Sequence, residues 1–143
     1  MVTVLDARTS QNASTSNSIS IPVLLGTPQI FGQIGLITAG TTTPIRVQMS
    51  GIISLQLPLL PALTTVSVTI VRGTQISDPV VFSASSNLDL ELLGPQAFNF
   101  VAADINVSPP ASGQLTYTAF VSSNLLGTVR VGPESFYGIA FTG

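Results

Sequence analysis

Residues Ile45–Leu57 read IRVQMSGIISLQL. Ile45, Val47, Met49, Ile53, Leu55 and Leu57 fall on one side of a period-2 pattern, with Gly51 in register. Arg46, Gln48, Ser50, Ser54 and Gln56 fall on the other. Side chains alternate across a strand, so this stretch is a long β-strand with one buried face. Ile52 interrupts the polar side, which predicts that this second face is also partly covered.

The same alternation recurs through most of the 143 residues. Strands are predicted at Ile19–Leu25, Gln29–Thr38, Thr65–Arg72, Pro79–Ala84, Leu88–Leu92, Ala97–Ala103, Leu115–Ser122, Thr128–Val131 and Ser135–Thr142. Thr65–Arg72, TVSVTIVR, is rich in β-branched residues that suit a pleated surface. Gly and Pro punctuate the runs at Gly26, Gly40, Pro58, Pro61, Gly73, Gly94-Pro95, Pro109–Gly113, Gly127 and Gly132-Pro133. No segment sustains a 3.6-residue period, and no internal repeat occurs. About nine or ten short strands at this spacing predict an all-β sandwich or barrel.

The N-terminus breaks the pattern. Met1–Leu5 alternates like a strand, and Thr9–Ser18 is uniformly small or polar, as a flexible linker is. The expected division is an arm over 1–18, with a strand in 1–8 and a linker in 9–18, and a β domain over 19–143. Ten extended residues reach about 33 Å, against a radius of gyration of about 14 Å for a domain this size. Two readings stay open: a disordered tail, or a detachable strand that pairs with a neighbouring subunit through Val2, Thr3, Val4 and Leu5.

Composition narrows the chemistry. The chain has no Cys, His, Lys or Trp. Triads, thiolate nucleophiles, conventional zinc sites and Schiff-base lysines are therefore absent by inventory. No glycine-rich phosphate loop occurs, and no cofactor or metal is expected. Asp89 and Glu91 would share a strand face, but they alternate with Leu88, Leu90 and Leu92 as a solvated face does. Asp78 and Asp104 lie beside turns, where they are expected to accept backbone hydrogen bonds. Asn12-Ala-Ser and Asn106-Val-Ser match the short glycosylation sequon.

Only 7% of residues are charged, for a net charge of −2, against about 25% in an ordinary soluble domain. Four scattered arginines, Arg8, Arg46, Arg72 and Arg130, cannot form a phosphate-binding stripe or hold an anionic membrane. Arg46, Arg72 and Arg130 lie in strands, as inter-subunit ion-pair partners of the few acids or as solvated side chains. The apolar stretch Leu55–Leu63 is too short to span a bilayer and is broken by Pro58 and Pro61. Met1 leads into Val-Thr-Val-Leu-Asp with no basic n-region, so no secretory signal is expected. Yet the mean hydropathy is positive. So much apolar surface on a charge-poor chain predicts subunit contacts; the alternative is a monomer coated with Ser and Thr.

The strand order and the C-terminal run Ser135-Phe-Tyr-Gly-Ile-Ala-Phe141 resemble the tumour-necrosis-factor-like jelly roll shared with complement heads. The resemblance extends over 19–143 and implies a single jelly-roll sandwich that trimerises through Phe136, Tyr137, Ile139 and Phe141. More narrowly, TVSVTIVRG (65–73), DPVVFS (78–83) and LTYTAFV (115–121) resemble spore-surface proteins of Firmicutes, including exosporium heads and endospore appendage subunits. That resemblance implies a non-enzymatic structural subunit outside the cell, on the spore. Its trimers would stack head to tail into a fibre, the arm adding a strand to the next subunit. Its partners would be copies of itself and other spore-surface proteins, with no nucleic acid and no membrane. The chain lacks collagen-like repeats and N-terminal cysteines, so any such fibre is non-covalent. A closed trimeric ligand-binding head and a phage fibre or capsid jelly roll are the alternatives. Carboxylate-based hydrolysis is the one foothold for an enzyme.

Overall fold

A computed structural model describes all residues, 1–143. Nine strands follow one another: β1 Thr3–Ala13, β2 Ile21–Pro22, β3 Gln29–Ile37, β4 Ile45–Gln56, β5 Thr65–Arg72, β6 Val80–Asn87, β7 Gln96–Val107, β8 Gln114–Ser123 and β9 Val129–Thr142. They form two antiparallel sheets, ordered β1-β9-β4-β7 and β3-β8-β5-β6, with β2 alongside the start of β9. From β3 onward the chain crosses from one sheet to the other at every step except the β5–β6 hairpin, and the two strand orders are those of the jelly roll expected.

The decisive stretch behaves as its pattern requires. Ile45, Val47, Met49, Ile53 and Leu55 are buried in one core cluster. β4 is central, pairing with β9 on one side and β7 on the other. The facing sheet contributes Ile34 and Leu36 from β3, Val66, Val68 and Ile70 from β5, and Tyr117, Ala119 and Val121 from β8. An aromatic group joins the layers. Phe31 meets Phe100 edge-on at 6.0 Å between centroids, and Phe82 and Phe136 flank the same ring. Gly32 makes this approach possible, because a Cβ there would lie 2.6 Å from that of Phe136.

Several boundaries differ from expectation. The two predicted strands Thr128–Val131 and Ser135–Thr142 are one, because β4 pairs across the Gly132-Pro133 kink, Leu55 opposite Arg130 and Ile53 opposite Glu134. Leu88–Leu92 is not a strand. There Gln96 takes the backbone bonds, its Oε1 accepting from Asp89 N and its Nε2 donating to Asp89 O. Asp89 and Glu91 therefore share no strand face; Asp89 instead caps the Glu91 amide at 2.9 Å. Ile19–Leu25 shrinks to two residues at Pro22, which has no N–H for a ladder.

The largest correction concerns the arm. Thr9–Ala13 is not a linker. It continues β1, which pairs with β9 of its own chain from Thr3 opposite Thr142 to Ala13 opposite Glu134. Small polar residues read as a linker here because β1 is an edge strand whose inner face meets the edge of β3. Asp6 Oδ2 accepts the Ile37 amide at 2.8 Å, and Ser10 Oγ accepts that of Gln33. Side chains thus close one flank of the sandwich where no backbone ladder can.

Replacing Phe136 with Ala should cost about 3–5 kcal/mol, as expected for deleting a buried ring. Denaturant unfolding would show it, with the secondary structure of the folded state retained.

Candidate assembly face

The β4–β9 register sorts the C-terminal residues into two sets. Phe136, Gly138 and Ala140 point into the sandwich and are buried. Tyr137, Ile139 and Phe141 point outward. Phe136, expected with these three at a subunit contact, is wholly enclosed and belongs to the core.

The outward residues lie in rungs across four strands. Thr9, Tyr137, Ser50 and Val101 form one rung, and Ala7, Ile139, Gln48 and Ala103 the next. In the third, Val4 pairs with Phe141 and Phe141 with Arg46, next to the β7 bulge that carries Ile105. Val101 leaves 78% of its surface in water, and Ile105 and Tyr137 are exposed too. Between β9, β4 and β7 lies an open depression of about 630 Å³, floored by Met49 and Ala102 and walled by Val101, Tyr137 and Ile139. The single charge in these rungs is Arg46, whose guanidinium sits 4.7 Å above the Phe141 ring. A cation stacked on an aromatic face is partly satisfied there without a carboxylate.

Of the predicted arm contacts, Val4 joins this face and Leu5 turns inward against the core. Thr3 pairs with Thr142, and Val2 precedes the strand, exposed.

Two ionic groups, one half-buried and one enclosed, pair Arg72 and Arg130 within the chain and hold the strands behind the face. Arg72 on β5 makes a bidentate contact with Asp104 on β7, both bonds at 2.8 Å. Tyr117 on β8 donates to the same carboxylate at 2.7 Å. The group spans both sheets. Asp104 therefore lies mid-strand and buried, not at a turn. Burial, reinforced by the bond to Asp104, pushes the Tyr117 hydroxyl well above its ordinary range. The carboxylate likewise holds the Arg72 guanidinium above its usual value. The second group is enclosed near the start of β9. Arg130 contacts Glu134, its Nε donating at 3.0 Å, and Asn12 of β1 donates to the same carboxylate at 2.5 Å. The Asn12 amide of the first sequon is thus engaged within the fold. Asp78 does accept the Thr74 and Gln75 amides, as expected.

No protein-family model matches the chain, and no curated protein matches it. Among solved structures, dimeric latent PorU from Porphyromonas gingivalis aligns with 95% of this chain and 12% of its own, at 10% identity and a TM-score of 0.52. An arabinose-bound α-L-arabinofuranosidase aligns with 96% of this chain and 23% of its own, at 12% identity and 0.49. A structure of the infectious bursal disease virus particle aligns with 94% of this chain and 34% of its own, at 13% identity and 0.37. The chain thus spans between 12% and 34% of the length of these proteins. At 10% identity the likeness to the PorU structure is one of fold alone.

Two outcomes follow. Asp104→Ala should cost about 2–4 kcal/mol in denaturant unfolding, less than a fully buried pair because Arg72 keeps about a third of its side chain in water. The Ile37 amide, then Arg8, holds the Asp6 carboxylate below its ordinary 3.8. Its contribution is complete above the unfolded value and is lost as pH falls through the lower folded one. The protection factors of the β1 amides, exchange rates relative to the free peptide at the same pH, should fall below about pH 4 in the native protein, with Asp6→Asn losing that dependence.

Proposed function

We propose that this chain is a non-enzymatic structural subunit that assembles with copies of itself through the outer face of the β1-β9-β4-β7 sheet. The observation that carries the reading is the set of three outward rungs. Sheet faces in water are ordinarily polar, whereas this one presents Val4, Phe141, Ile139, Tyr137, Val101 and Ile105 with one charge among them. Exposed apolar patches of this kind mark subunit contacts. A charge-poor face offers no steering to a charged partner, and its apolar rungs match another copy of themselves.

Three copies around a three-fold axis would bring these faces together, with Tyr137, Ile139 and Phe141 in the contact. Such trimers, stacked along the axis, make the non-covalent extracellular fibre that the resemblance to spore-surface subunits implies. Strand addition between subunits would then be an exchange: β1 of one copy would replace β1 of the next on β9, keeping the same register. Domain exchange of this kind conserves contacts.

A second reading is a closed trimeric head. It is favoured by β1 itself, whose bonds are already satisfied within its own subunit. Electron microscopy separates the two, since one gives filaments and the other discrete particles.

Val101→Glu places a charge on the face without touching the core. Light scattering should show its assembly mass falling, with folding unchanged. An unaltered assembly mass would refute the sheet-face contact.

A further inference from the structure

The sandwich has two unlike ends. Gln56, the last residue of β4, lies opposite Val129, the first of β9. Thr65, the first of β5, lies opposite Asn87, the last of β6. The loops β2–β3, β4–β5, β6–β7 and β8–β9 therefore gather at one end. They are tied into one surface: Gly26 N donates to Ser123 O, Asn124 N to Thr65 O, and Leu88 N to Thr64 O.

Each of these four loops carries a Leu-Leu pair, and the sequence has no other. In the β4–β5 loop, Leu59 and Leu60 are 98% and 92% exposed. In the β6–β7 loop, Leu93 is 88% exposed beside Leu92. Leu125 and Leu126 follow β8, and Leu24 and Leu25 follow β2, all partly exposed and Leu126 the most. The opposite end is made of Thr38–Pro44, Gly73–Pro79 and Ser108–Gly113, which are mostly Thr, Ser, Gly and Pro. A core-type residue placed in pairs at four loop tips, at one end alone, is a built surface.

We propose that the leucine end docks a second copy of this chain, leucine end to leucine end. Three observations select that occupant. With Leu63, the exposed leucines present on the order of 1,000 Å², above the roughly 800 Å² that each partner buries in a standard interface. The polar end of a neighbour has no matching apolar surface, so the partner of a leucine end is another leucine end, and the joint is isologous. The charges at this end, Asp89 and Glu91, are both acidic and adjoin Leu92-Leu93. A bilayer would have to take those carboxylates toward its interface with no arginine to compensate, whereas at a protein joint they stay in water at the rim. The contact uses none of the residues of the sheet face, and in a stacked assembly it makes neighbours meet back to back at this end.

The test is the triple variant Leu60→Asp, Leu93→Asp, Leu126→Asp, with the milder pair Leu60→Ser, Leu93→Ser beside it. Sedimentation of the full chain should show the average mass at least twofold lower in the triple variant, and lowered in the same direction in the pair, with unchanged circular dichroism. Wild-type protein should not float with phosphatidylcholine vesicles. An unchanged mass overturns the proposal, and so does flotation of the wild type that the triple variant loses, which would make lipid the occupant. Val101→Glu keeps the two contacts apart. If it lowers the mass and the triple variant does not, the leucine joint fails while the sheet-face reading stands.

Discussion

The register between β4 and β9 is the constraint on which everything else in this fold depends. It runs from Gln56 opposite Val129 to Arg46 opposite Phe141. It sends Phe136, Gly138 and Ala140 inward and Tyr137, Ile139 and Phe141 outward. A slip of one residue would exchange the two sets. Phe136 would leave the aromatic group around Phe100, and Tyr137 would enter a space shaped by Gly32 and Gly138. The interior and the outward apolar face are thus consequences of one alignment. The buried Arg130–Glu134 pair lies on β9 opposite Leu55 and Ile53, and Asn12 ties it to β1.

Much of the fold was legible in the chain, for a physical reason. β4 and β5 alternate cleanly because each is buried on one face, and that period survives in sequence. β5 matched at both ends. What was not legible arose where side chains replaced backbone. Gln96 takes the bonds that a Leu88–Leu92 strand would have made, and Asp6 and Ser10 close a flank that looked like an unattached arm. Polar residues there signal caps on backbone groups, yet by composition they are indistinguishable from linker residues. Glu134 and Asp104 were likewise hidden: a carboxylate's burial depends on a partner 4 or 32 residues away, which no local pattern records.

The candidate face was half legible. Phe136–Phe141 drew notice as an apolar run, but alternation assigns its members to opposite sides, so only Tyr137, Ile139 and Phe141 remain available for contact. Val101 and Ile105 were missed, because on β7 they look like ordinary strand residues until β4 sets them beside Ser50 and Arg46. The four Leu-Leu pairs are visible in the sequence, but only topology brings their loops to one end.

Self-association is the property on which the proposed assembly rests. Sedimentation equilibrium of the unaltered protein, over a wide range of concentration, tests it most directly. Self-association through apolar contacts predicts masses that are multiples of the 14.8 kDa chain, with association that strengthens or holds at high salt. A single 14.8 kDa species at every concentration and salt would contradict it.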